Sequence, residues 1–218
     1  MKWDPGFGWT YQKYFDGLRS FQESGYSISP LCDFKNFPEK KVLFLRHDVD
    51  FDLEVAYRLG KAEHRMGIRS SFYFRLHASG YNLLSASNIQ RVLELQSFGH
   101  EISVHIDHGL SYFRGDEFLW CQNQIRIFED IFGLTVRGFS SHEPSRLNGV
   151  EVADKIKSGL SLSYHAYDHT FTSNMKYISD STKRWREKPF YDYINEHTQL
   201  QVLIHPIWWY QNLAQESY

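Results

Sequence analysis

The stretch Lys41-Val42-Leu43-Phe44-Leu45-Arg46-His47-Asp48-Val49-Asp50 decides the reading of this chain. Its apolar half reads as a buried strand, and its charged end carries two aspartates one residue apart. Side chains alternate along a strand, so Asp48 and Asp50 fall on the same side. Two carboxylates that close raise one another's pKa unless a cation lies between them, so the pair suits a metal site. The plainer alternative is that Asp50 caps the following helix and Asp48 is solvated.

Working outward, short β-branched or apolar runs alternate with longer amphipathic stretches, the pattern of repeated β-α units around a largely parallel sheet. The predicted strands are Val42 to His47, Arg69 to Phe74, Glu101 to His105, Leu134 to Phe139, Leu160 to Tyr164, Lys176 to Ser179 and Leu200 to Ile204. Seven strands point to a barrel rather than a sandwich. Asp52 is placed to cap a helix running to Met66-Gly67, and Ser87-Asn88-Ile89-Gln90 reads as a capping box before a helix stopped by Gly99. A third helix is expected from about Asp116 to Gly133, turning Trp120, Ile127, Phe128 and Ile131 inward. The aromatic stretch Trp9 to Phe21 reads as a helix covering the bottom or side of the barrel. The expected organisation is one domain over residues 1–218, with 1–40 a helical cover and 41–210 the barrel.

Composition narrows the function classes. The chain has 218 residues, 42% hydrophobic and 23% charged, with a formal charge of -2, which gives no electrostatic case for nucleic acid. Aromatic residues at 17% and 11 histidines are the unusual quantities; a ring-stacking, metal-holding site would use both, although composition alone does not show one. No basic-then-apolar leader opens the sequence, and no apolar run approaches the ~20 residues of a membrane helix, so no membrane span and a cytoplasmic location are expected. Cys32 and Cys121 have no metal-type spacing and are expected to be reduced.

A second cluster, Gly99-His100-Glu101-Ile102-Ser103-Val104-His105-Ile106-Asp107-His108, ends another strand in metal-ligand residue types. A third, Gln201-Val202-Leu203-Ile204-His205-Pro206-Ile207-Trp208-Trp209, ends an apolar strand at His205. In a parallel sheet the ends at Asp50, His105 and His205 converge on one face. Trp208 and Trp209 either stack on a sugar or pack beneath the rim. In Arg137-Gly138-Phe139-Ser140-Ser141-His142-Glu143-Pro144, His142 is a ligand, a substrate contact or a loop residue. In the stretch from Tyr177 to Trp185, Asp180 either orients His205 or caps a turn.

In order and spacing from about Lys41 to Trp209 the chain resembles the polysaccharide deacetylases, the carbohydrate esterases of the NodB-homology type. It is closest to a branch with an Asp-x-Asp first motif and a His-Pro-x-Trp-Trp ending, similar to proteins of bacterial surface-polysaccharide synthesis such as O-antigen or capsule. The resemblance implies an α/β fold, a distorted (β/α)7 barrel, in which Asp48 is the catalytic base, Asp50 and His105 are metal ligands and His205 is the general acid. The family's second motif has histidines four apart, whereas His105 and His108 are three apart. The third ligand is therefore His108, Asp107 or His142. Arg137 matches the third motif's arginine loosely. Asp107, Arg137, Asp180, Trp185 and Trp208 form the set expected to bind or orient substrate. The implied cofactor is a divalent ion, zinc first, with Co, Ni, Mn or Fe admitted by the same donors.

The implied activity is hydrolytic removal of an acetyl or other acyl group from an amino sugar or other saccharide. Two alternatives stand beside it: a deformylase or other C-N hydrolase on the same scaffold, and a catalytically silent carbohydrate-binding module. The absence of Gly-x-Ser-x-Gly, Walker-type and Gly-x-Gly-x-x-Gly motifs speaks against serine esterases, nucleotidases and dinucleotide enzymes.

Overall fold

Strand β2, Val42–Val49, is buried along its whole length and organises the sheet. In the computed structural model, which describes residues 8–37, 40–108, 115–145 and 148–209, it pairs in parallel with β3, Ser71–Phe74, and with β8, Gln199–Ile204. The path continues through β4, Glu101–Ile106, β5, Gly138–Ser141, and β6, Tyr164–His165, on one side, and through β7, Lys176–Ser179, on the other. Seven parallel strands thus curl into a half-barrel, and β6 and β7 are the ends of the path. Because the registers are parallel, the strands deliver their C-terminal residues to one rim.

An eighth strand, β1, Ser27–Ser29, pairs in parallel with Val42 to Phe44. The first forty residues are therefore more than a helical cover, since three of them extend the sheet. Their helix, α1, Tyr11–Glu23, is capped by Thr10, whose Oγ1 accepts from the Lys13 amide at 3.2 Å. It buries Tyr14, Gly17, Leu18 and Phe21 against Leu43, Leu45, Leu200, Val202 and Ile204.

Helix α2, Leu53–Arg65, starts at the Asp52 cap and ends before Gly67 at φ 72°. Helix α3, Ala86–Ser97, starts after Ser85, two residues before the expected capping box, and Ser87 lies inside its first turn. Helix α4, Glu117–Phe132, runs from Asp116 to a left-handed Gly133. It buries Cys121, Gln124, Ile125, Phe128 and Phe132, while Ile127 is exposed. Helix α5, Gly149–Gly159, is followed by Leu160 and by Ser161 at φ 53°, so the expected strand there shrinks to Tyr164–His165. A short α6, His169–Thr172, precedes β7. Among the described residues no helix is long and apolar enough to cross a membrane.

One buried polar network ties α1, α2 and the sheet together. Tyr14 Oη donates to Glu63 Oε1 at 2.5 Å and Ser70 Oγ donates to Glu63 Oε2 at 2.6 Å. His47 Nε2 lies 2.9 Å from Glu63 Oε1. Burial works against the Glu63 charge, but the neighbouring His47 and His100 rings and the Ser70 hydroxyl hold its carboxyl below the ordinary value. A carboxylate depressed in the folded state adds stability above its unfolded pKa and loses that contribution as the pH falls through its folded pKa. Glu63→Gln is therefore expected to lower the urea midpoint at neutral pH, with the gap to wild type closing as the pH drops below ~4. A gap independent of pH would remove the charge on Glu63 from the account.

Candidate metal centre and active site

Alternation along β2 turns Val42, Phe44, Arg46, Asp48 and Asp50 to the barrel interior, so this face changes from apolar at the base to charged at the rim. Asp50 follows β2, His105 lies near the end of β4, and His142 follows β5, whose Ser140 is in register with His105. The three meet: Asp50 Oδ1 is 3.4 Å from His105 Nε2 and 3.1 Å from His142 Nδ1. One ligand atom from each lies within 4.8 Å of the others, a group able to hold a metal ion.

Three observations fit that group to a cation. Asp50 Oδ1 is buried and has no hydrogen-bond partner among the described residues, although both imidazoles face it. His105 Nδ1 sits 3.2 Å from the Ser140 carbonyl oxygen, which can only accept, so Nδ1 carries the proton and Nε2 presents its lone pair. The Asp50 side chain is largely buried, a cost to its charge that a cation held with the two imidazoles would offset.

Asp48 lies in different surroundings. Its Oδ2 accepts from Arg46 Nη2 at 3.2 Å and from Ser140 Oγ at 3.0 Å, while Oδ1 is buried without a partner among the described residues. Arg46 is completely buried, donates to the Ala166 carbonyl at 3.0 Å and lies over the Tyr167 ring at 4.4 Å. One Asp48 oxygen is thus anchored and the other left open. The sequence signal for Arg46 was the same alternation that paired the aspartates.

His205 begins immediately after β8. Its Nδ1 is 2.6 Å from Asp180 Oδ1, its amide donates to the same carboxylate, and Trp209 Nε1 donates to Asp180 Oδ2 at 2.9 Å. Nε2 is thereby turned to the site, 3.7 Å from Asp50 Oδ2. Burial opposes the charged imidazole, but the carboxylates of Asp180, Asp48 and Asp50 outweigh it and push His205 up to about 9.

Several expected residues lie elsewhere. His108 turns toward α4, with Nδ1 3.7 Å from Cys121 Sγ and 3.8 Å from Glu117 Oε1, because the chain leaves the rim after Ile106. Burial pushes it down to about 4. Asp107 pairs with Arg75 at 2.5 Å and is outside the cluster. Arg137 is exposed before β5, at the opposite end of the barrel, lining a cleft of about 250 Å³ with Asp33, Arg69 and Glu101. Arg46 instead stands beside Asp48. Trp185 stacks on Trp9, centroids 5.3 Å apart, within an aromatic core that includes Trp209 and Phe190. Trp208 is half-buried with its ring centroid 6.4 Å from that of His205. Since His108 faces α4, His108→Ala is expected to retain the metal content of wild type in elemental analysis; loss of the ion would return His108 to the ligand set.

The architecture is that of the polysaccharide deacetylases of the CE4 type, and the rim carries an Asp-His-His group of the kind that can hold a metal. No family model matches the sequence, and no curated protein matches it significantly. Among solved structures, a polysaccharide deacetylase from Bacillus cereus superposes with a TM-score of 0.52 at 16% identity, over 77% of this chain and 80% of that one. The chitin deacetylase of the fungal pathogen Colletotrichum lindemuthianum gives 0.50 at 14% identity, over 78% and 75%. A CE4 family pseudoenzyme from Bacillus anthracis gives 0.50 at 20% identity, over 78% of this chain and 56% of that one. A mutant of that pseudoenzyme has restored enzymatic activity. The chain spans a little over half the length of the pseudoenzyme, and at these identities the likeness is one of fold.

Proposed function

We propose that this chain is a metal-dependent hydrolase that removes an acyl group, acetyl first among them, from an amino sugar or other saccharide in the building of a bacterial surface polysaccharide. The observation that carries the reading is the division of labour between two carboxylates on one strand. Asp50 faces two imidazoles, whereas Asp48 has one oxygen tied to Arg46 and Ser140 and the other open.

Asp50, His105 and His142 would hold a divalent ion, which supplies Lewis acidity toward the acyl carbonyl and the attacking water. The mixed nitrogen and oxygen donors suit zinc, and also Co, Ni, Mn or Fe. Asp48 takes a proton from water as its oxygen bonds to the acyl carbon. His205, protonated and oriented by Asp180, gives its Nε2 proton to the departing amine or hydroxyl as the bond to the acyl carbon breaks. One carboxylic acid and one free sugar amine or hydroxyl result.

The fold neighbours include a pseudoenzyme, so a silent sugar-binding role is the second reading. The presence of Asp48, the metal-type group and the Asp180-held His205 together supports the enzyme. The test is acetate release from N-acetylated and O-acetylated sugars by the zinc-loaded protein, with chelated protein as control. Chelator-sensitive release supports the proposal; sugar binding without release, in protein shown to hold metal, favours the silent module.

A further inference from the structure

Asp48 pairs with Tyr73 and Val49 with Phe74 across β2 and β3, while Tyr73 pairs with Ser103 and Phe74 with Val104 across β3 and β4. One more step along these registers puts Arg75, the residue after β3, level with Asp50 on one side and His105 on the other. The alternation that turns Asp48 and Tyr73 inward turns Arg75 inward too.

The Arg75 side chain is only 12% exposed, and Nη2 lies 2.5 Å from Asp107 Oδ2. Its backbone amide donates to Tyr81 Oη at 2.9 Å, and Tyr81 Oη donates to the Val49 carbonyl at 2.7 Å, which pins the residue to the end of β2. Nε is buried and has no partner among the described residues. A buried guanidinium donor left unspent is costly, and a cation beside a metal-type group is costlier still. Asp107 offsets part of that charge through a single guanidinium nitrogen. The planar fork has a donor left for a second oxyanion, the chemistry arginine serves best.

We infer that Arg75 is an oxyanion-recognition residue of this site, so that the acylated saccharide carries a carboxylate or phosphate close to the acyl group. The inference rests on the reading of the Asp50 group as the reaction centre and adds the class of substrate to it. A neutral sugar gives no reason for a buried guanidinium on a residue one register step beyond the paired strands that carry the metal-type ligands. Asp107 competes with the incoming anion for Arg75, which makes the two residues respond with opposite signs.

The test is calorimetric titration of the full chain, with and without zinc, using glucuronate and inorganic phosphate as probes and glucose as the neutral control. Wild type is expected to bind one of the anions at least roughly tenfold more tightly than R75M, with R75K between them, the scale of a charge-assisted hydrogen bond. D107N is expected to bind it several-fold more tightly than wild type. A preference for glucuronate identifies a uronic acid and a preference for phosphate a phosphorylated sugar. Equal affinity in R75M and wild type, or weaker binding in D107N, would overturn the inference; zinc uptake by R75M serves as the check on its folding. Anion binding that depends on Arg75 in a protein that releases no acetate from any acylated sugar would count against the hydrolase alone.

Discussion

Asp48→Asn is expected to cut turnover by about 10²-fold or more while leaving the metal bound, the usual size of a general-base contribution. The amide keeps the size of the carboxylate and can still accept from Arg46 and Ser140 through its oxygen. It cannot take a proton from water, because the open position occupied by Oδ1 then carries an amide nitrogen. Loss should fall on kcat rather than on KM, since the interaction belongs to the transition state. Steady-state kinetics beside metal analysis read both at once. Unchanged turnover would remove Asp48 from the mechanism, and simultaneous loss of metal would make it a ligand.

Asp180→Asn is the second large expected effect. Asp180 is completely buried and accepts from the His205 amide, from His205 Nδ1 and from Trp209 Nε1. Removing its charge takes away the carboxylate that most strongly favours the protonated imidazole, so His205 falls from about 9. The alkaline limb of the pH-rate profile should move to lower pH, and turnover at neutral pH should drop about 10²-fold, as for loss of an oriented acid. His205→Gln should lose the same step without leaving a limb to shift. A variant profile that superposes on wild type would reduce Asp180 to a structural anchor for Trp209.

The sequence made the half-barrel and half of the site legible for one reason. Strand alternation and parallel delivery are local rules, and they place Asp48, Asp50, His105 and His205 on one rim with no knowledge of side-chain packing. The same rule, applied one step back, reaches Arg46, but a charged residue within an apolar strand conflicts with the expectation of an apolar interior. The third ligand depended on something less local. His108 is nearer His105 in sequence, yet the chain turns to α4 after Ile106, while the β4–β5 register and the 2.8 Å bond from the His142 amide to the Ile106 carbonyl bring His142 to the rim. Trp185 was similarly opaque, because its partner Trp9 lies far away in sequence and pairs with it only through folding of the N-terminal segment. The three-residue strand at Ser27 was hidden by its brevity; a run that short carries no periodicity to read.

The central claim is that Asp50, His105 and His142 hold a divalent ion beneath the reacting acyl group. Elemental analysis of the purified protein after zinc loading and exhaustive dialysis tests it directly, with Asp50→Ala, His105→Ala and His142→Ala treated alongside. The account predicts about one equivalent in wild type, the stoichiometry of a single His and carboxylate site, and its loss in all three variants. A wild type that takes up no ion, or a His142→Ala variant that holds it as tightly as wild type, would contradict the account.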